Sequence, residues 1–330
     1  MTRAGVGVVL VLMLVHAVAA AAVDVTIMTG VPGGTYYRVG QDLQRLLADR
    51  GFNVRVEASN GAVDNVAAIA QRPGLALGIV QSDVLAFVAD QRANPDVARI
   101  AASVRLLFPL YDEDVQLLGR RVLTSLENLD GRRVAVGREG SGTYLTARRL
   151  LKLADVTPAA LVPVDGAEAL RQLKAGEIDA MFYVVSHPAA LFRTGVTADD
   201  GLALLEVTHK SVLDSYTAVE IPTGTYAWQP TPVKTVAVKA VLVAFDPERR
   251  ECASIARLAQ AVVQGLPWLR SHGSPSWKRV DLEAPLTGWQ QYDCVRDAAG
   301  APDRRDDSPA ASAGERNPVT DAINGVLGAP

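Results

Sequence analysis

The chain has 330 residues, 49% hydrophobic and 21% charged, with a formal net charge of −3. That is globular composition, long enough for one large domain or two ordinary ones with a real core. There is no basic excess and no Lys/Arg stripe interleaved with aromatics, so nucleic acid is not an expected partner. Four His and two Cys leave few metal ligands, and no cofactor is expected.

The first 22 residues predict an export signal. Arg3 supplies a positive start, Val8 to Val15 an apolar stretch, and Ala17 to Ala22 a small-residue cleavage region. The apolar stretch is short for a bilayer span. The mature protein is therefore expected outside the cytoplasm, in the periplasm. Cys252 and Cys294 suit an oxidising compartment and are expected to pair, tying a late helix to the segment ending near Tyr292.

In chain order, the alternating run Val23, Val25, Ile27 predicts a strand. It leads into Thr29-Gly30-Val31-Pro32-Gly33-Gly34-Thr35-Tyr36-Tyr37, and then into apolar residues at helical spacing: Tyr36, Val39, Leu43, Leu46 and Leu47. A strand, a glycine loop and a helix start make an anion cradle, because glycine lets the backbone approach a ligand and the helix end offers unpaired N–H groups. Neither the dinucleotide G-x-G-x-x-G nor a phosphate loop ending in Gly-Lys-Ser/Thr is present, so a small carboxylate fits better than a nucleotide. Tyr36 and Tyr37 are adjacent in the helix and cannot both face one ligand, so one of them is expected to pack inward.

A second strand, Val54 to Glu57, meets the polar turn 58–65. A third, Leu75 to Val80, is almost wholly apolar and is expected in the middle of a parallel sheet, ending at Gln81-Ser82-Asp83. Ligands gather at the carboxyl ends of strands in open α/β sheets, and three successive strand ends here are polar or glycine-rich. Ala101 to Phe108 and Val115 to Gly119 read as strands around Pro109 to Glu113, a crossing point between lobes. Arg138-Glu139-Gly140-Ser141-Gly142-Thr143-Tyr144 repeats the cradle design in the second half. Ser186-His187-Pro188 is another strand tip, and a lone His of this kind reads as a hydrogen-bonding wall residue before it reads as a catalyst. Val233 to Ala244 predicts a long strand, Ile255 to Leu266 a helix ending before Pro267.

These residues resemble the solute-binding subunits of tripartite ATP-independent periplasmic (TRAP) transporters, in particular the TAXI-type branch. The resemblance rests on Gly33-Gly34-Thr35-Tyr36-Tyr37, Val63-Asp64-Asn65, Val80-Gln81-Ser82-Asp83, Gly140-Ser141-Gly142-Thr143, Asp179-Ala180-Met181-Phe182 and Ile221-Pro222-Thr223-Gly224-Thr225-Tyr226, in that order. Trp277-Lys278-Arg279-Val280-Asp281-Leu282 extends it, so that it covers roughly residues 24–295.

It implies an α/β two-lobed periplasmic-binding-protein (type II-like) fold, with lobe 1 at 23–110, lobe 2 at 111–218 and a return with C-terminal helices at 219–295; beyond it, the change of composition to Ala, Pro, Ser, Asp, Arg and Gly reads as a mostly disordered tail at 296–330. A short helix is expected near Val319 to Leu327, without a catalytic role. The implied ligand is a small organic anion such as glutamate, a dicarboxylate or a keto acid, passed to TRAP membrane subunits. The implied ligand-binding set is Gly34, Thr35, Tyr36, Tyr37, Asn65, Gln81 and Ser82 from lobe 1, with Ser141, Gly142, Thr143 and Tyr183 from lobe 2. The family usually has Gly-Ser where this chain has Gly61-Ala62, so Ser59 or Asn60 is expected to substitute or the solute to differ. Two other readings stay open: a secreted serine hydrolase using Ser141 with His187, though without the G-x-S-x-G elbow, and a ligand-sensing module of a membrane receptor.

Overall fold

The computed structural model describes residues 22–296 and 317–328. The expected export signal and most of the expected tail lie outside them.

The first lobe opens with β1 (Val23–Met28), α1 (Thr35–Leu47), β2 (Phe52–Glu57), α2 (Ala62–Ala68), β3 (Leu75–Gln81), α3 (Ser82–Asp90) and α4 (Pro95–Ser103). Next comes the 17-residue strand β4 (Val104–Arg120). The second lobe holds β5 (Arg133–Ala135), α5 (Gly142–Leu153), β6 (Ala160–Val162), α6 (Gly166–Ala175), β7 (Ala180–Val185), α7 (Ala190–Gly195), β8 (Leu202–Leu205) and α8 (Lys210–Leu213). β9 (Thr217–Ile221) and β10 (Val233–Phe245) run back, followed by α9 (Cys252–His272), α10 (Asp293–Arg296) and α11 (Pro318–Leu327).

The strands form one mixed sheet in the order β2-β1-β3-β10-β4-β7-β5-β6, with β8 beside β4 and β9 beside β10. β4 and β10 tie the halves together. The first part of β4 pairs antiparallel with β10, and its last part pairs with β7 and β8. Pro109 to Glu113 is thus the middle of a continuous strand, where separate strands were expected. A bulge explains how proline fits: the pairing slips between Lys239 and Val241, near Pro109, which interrupts the ladder where its missing N–H would break it. The stretch from Ala101 to Ser103 belongs to α4.

β3 is buried at every position, as its apolar run predicts. Its neighbours are mixed, β1 parallel and β10 antiparallel, so it is central without lying in an all-parallel sheet. Most buried apolar residues form one core through both halves. A second cluster in the far lobe gathers Leu118, Leu170, Met181, Phe192 and Trp228.

α9 does not stop before Pro267 but runs on to His272. Proline there removes the N–H that would pair with the carbonyl of Val263, and Val263 is 51% exposed, so water can take that carbonyl's bond. Leu269, fully buried beyond the proline, keeps the last turn docked. Cys252 and Cys294 are disulfide-bonded, clamping the start of α9 to α10. α11 is a packed helix, with Val319 and Ile323 both fully buried.

Candidate solute-binding cleft

The loops after β1, β2, β3, β5 and β7 converge on one cleft of about 1040 Å³ between the lobes. Two helix starts face it with their N–H groups uncovered. α1 begins after Gly34, and among the described residues no side chain caps it and no acid occupies its first turn. α5 begins after Ser141, whose Oγ accepts only from the N–H of Tyr144, and its first turn is also free of acids. Both ends carry the partial positive charge of a helix N-terminus into the same space.

Side chains reinforce that sign. Arg38, Arg138, Arg193 and Arg279 line the cleft, against the carboxylates Glu113 and Asp165. Asp165 is committed: its Oδ1 caps α6 through the N–H groups of Ala167 and Glu168, and its Oδ2 accepts from Arg138 at 2.6 Å. These bonds, the Glu168 N–H foremost, hold its carboxyl below the usual range. Arg38 donates to the carbonyl of Gly33 at 2.7 Å and Arg279 to that of His187 at 3.1 Å. Neither has a carboxylate partner among the described residues, so two guanidinium charges stand uncompensated at the cleft. Arg279 is set in place by Trp277 two residues earlier, whose buried indole N–H donates to Asp42 of α1 at 2.9 Å.

Glu113 forms the floor. It sits on β4 where the chain crosses between lobes, is 3% exposed, and accepts on Oε2 from the Tyr36 hydroxyl and from Gln81 Nε2, both at 2.8 Å. Burial pushes its carboxyl up to about 7, against the pull of those two hydrogen bonds. Burial and the nearby Glu113 raise the hydroxyls of Tyr36, Tyr111 and Tyr183. On Tyr111 the charges of Arg38 and Arg279 act the opposite way. At the rim, His187 Nδ1 contacts Asp114 Oδ2 at 2.7 Å, which orients the ring and leaves Nε2 for the cleft.

Of the residues expected from sequence, Gly34, Thr35, Tyr36, Gln81, Ser141, Gly142, Thr143 and Tyr183 line this cleft. Tyr36 is the inward member of its pair, while Tyr37 lies off the cleft wall. Asn65 does not reach the cleft: it is fully buried, accepting from Ser59 at 2.6 Å and donating to the carbonyl of Ile79 at 2.7 Å, so it locks the turn before α2 against β3. Ser82 is also engaged elsewhere, its Oγ accepting from the N–H of Lys239 on β10. Of the two candidates to replace the missing hydroxyl at Ala62, Ser59 turns inward to the carbonyl of Thr29, and Asn60 lines the cleft.

Glu113 and Arg279 were not singled out from sequence. Glu113 looked like part of a connection, and Arg279 lies far along the chain in a segment legible only through the family resemblance. The Ser141–His187 pair of a hydrolase is not assembled: Ser141 Oγ donates to the carbonyl of Arg138 at 2.6 Å, and His187 is held by Asp114. Among the described residues no group of His, Cys, Asp and Glu could hold a metal ion, and no helix is long and apolar enough to cross a membrane.

This architecture is that of a two-lobed periplasmic binding protein. It resembles the structure of the periplasmic binding protein BugD, with a TM-score of 0.50, 14% identity, and coverage of 77% of this chain and 85% of that one. It also resembles MatC from Rhodopseudomonas palustris, solved with bound malate, with a TM-score of 0.50, 17% identity, and coverage of 81% and 92%. Residues 27–252 match the model of the NMT1-like family, and the chain belongs to that family.

Proposed function

We propose that this chain is the periplasmic solute-binding subunit of a TAXI-type TRAP transporter, which captures a small organic anion between its lobes and hands it to membrane subunits. One observation carries the reading. The starts of α1, which no side chain caps, and of α5, capped only at the Tyr144 N–H, come one from each lobe and open onto a cleft where four guanidiniums face two carboxylates, one of them already spent on capping α6. A carboxylate held there gains from helix ends and guanidiniums on both sides, so its binding favours the lobes together.

Glu113 shapes which anion is accepted. Ionised, it repels a second carboxylate at the cleft floor and welcomes an ammonium group. Neutral, it donates a hydrogen bond instead. Amino acids such as glutamate, dicarboxylates and keto acids are therefore distinguishable by how their binding changes with pH.

The test is a thermal-shift screen of the purified chain from residue 23 against amino acids, dicarboxylates, keto acids and sugars, after unfolding and refolding to remove any carried-over solute. A solute at one hundred times its dissociation constant adds about 2.7 kcal/mol of stability. A shift confined to one carboxylate class supports the proposal and names the solute. No shift with any carboxylate overturns it.

A further inference from the structure

The face of the lobe junction away from the solute carries its own device. α11 lies against α2 and α4 of the first lobe and α5 of the second. Its start is bound to the first lobe: Asn317 caps the helix through the N–H groups of Val319 and Thr320, and its Nδ2 donates to Asp64 Oδ1 of α2 at 2.9 Å. Its far end is bound to the second lobe. Asn324 Oδ1 accepts from the Tyr144 hydroxyl at 2.7 Å and from Arg148 at 2.6 Å, both on α5, and Lys152 donates to the carbonyl of Val326 at 2.9 Å. Val319 and Ile323, fully buried, fill the space between.

These are strong attachments for one short helix. The Arg148 side chain is 3% exposed and stacks 4.9 Å over the Tyr144 ring. Two of its nitrogens have no partner among the described residues, so the Asn324 oxygen carries much of its hydrogen bonding. Asp64 is a shared node. Besides Asn317 it takes the side-chain amide of Asn60, a cleft residue, and its N–H donates across the junction to the carbonyl of Gly140, just before α5. One residue thus links α11, the lobe seam and the cleft wall.

We propose that α11 is an intramolecular latch which spans the seam and holds the two lobes in the arrangement seen here, so that parting them further requires α11 to release one lobe. The two lobes can turn apart only by breaking either the Asn317–Asp64 end or the Asn324–Arg148 end, with Val319 and Ile323 leaving their burial. The inference stands on contacts within the chain and does not depend on which solute the cleft takes.

The test reads interlobe distance without a solute. Spin labels are placed at the exposed positions Asp49→Cys in the first lobe and Asp199→Cys in the second, and the distance distribution is measured by pulsed electron paramagnetic resonance. The intact chain is compared with one ending at residue 316. The expected result is a narrow distribution in the intact chain and a shift to longer, broader distances after truncation, reversed by adding a synthetic peptide of residues 317–328. Identical distributions in the two forms overturn the proposal. If the truncated chain fails to fold by circular dichroism, the full-length double variant Asn317→Ala/Asn324→Ala takes its place: a shift to longer distances supports the latch, and an unchanged distribution sinks it.

Discussion

α2 and α5 each serve two environments, and the contrast between them is instructive. On the cleft side α5, together with α1, presents its N-terminal N–H groups, and Arg38 and Arg279 stand there with no carboxylate partner among the described residues. On the seam side α2 and α5 are closed up. Thr146 of α5 donates to Asp83 Oδ2 at 2.7 Å, the Tyr216 hydroxyl donates to the same oxygen at 3.2 Å, and α11 covers Tyr144 and Arg148. Gly142 stands at the boundary, where a Cβ would overlap the Gln81 side chain from the opposite lobe. Unsatisfied polar groups facing water are tolerable and wait for a ligand, whereas buried ones must be paired. The cleft therefore stores binding capacity and the seam stores stability, so mutations on the two sides should separate affinity from folding.

The largest effect is expected at Glu113, which belongs to the cleft but is buried like a seam residue. Its folded-state pKa lies near 7 against an ordinary 4.5, so the native state binds the extra proton, and stability falls as pH rises from about 4.5 to about 7. The loss is about 3 kcal/mol. Glu113→Gln should abolish that slope and be the more stable protein at pH 8, which urea denaturation across pH will show. A slope that survives the substitution assigns it to another group.

Next come the cleft cations. Arg38→Ala and Arg279→Ala should each weaken anion binding on the order of 10- to 100-fold, as the loss of a charged hydrogen-bond partner implies. Because both side chains are exposed, the unliganded melting temperature should stay put. Calorimetric titration with a carboxylate identified by the screen checks the first part, and a melting curve the second. A drop in melting temperature without loss of affinity would reverse the contrast between the two sides.

On the seam, Asp83→Ala should cost about 2 kcal/mol, since it strands the Tyr216 hydroxyl and leaves Thr146 only its bond to the Gly142 carbonyl. The smallest expected effect is at the α6 start, where Asp165→Ala removes a helix cap worth about 1 kcal/mol and frees Arg138 for a ligand. Stability should fall slightly in urea titration while affinity for the carboxylate holds or rises.

The cradles were legible because their signal is local. Glycine loops and a following helical period lie within about ten residues of one another, and the polar strand tips at Gln81 and at Ser186 to Pro188 are equally local. Asn65 and Ser82 sit in equally suggestive turns, but their side chains find partners inside the fold, at Ile79 and Lys239, which no local pattern shows. Glu113 escaped for a related reason: its pairing with Val238 on β10 and the bulge beside it decide that it faces Tyr36 and Gln81. His187 could be noticed but not interpreted, since its partner Asp114 is 73 residues away.

By itself the sequence determined the α/β alternation, the two glycine cradles and the apolar faces of the helices, because backbone conformation and hydrophobic periodicity are short-range properties. Only the tertiary structure decided that β4 runs unbroken through Pro109, that α9 continues past Pro267, that Arg279 joins Arg38 at the cleft, and that α11 is clamped across both lobes. Each of these depends on which groups from distant segments take up a hydrogen bond or exclude water, and that is settled when the segments meet.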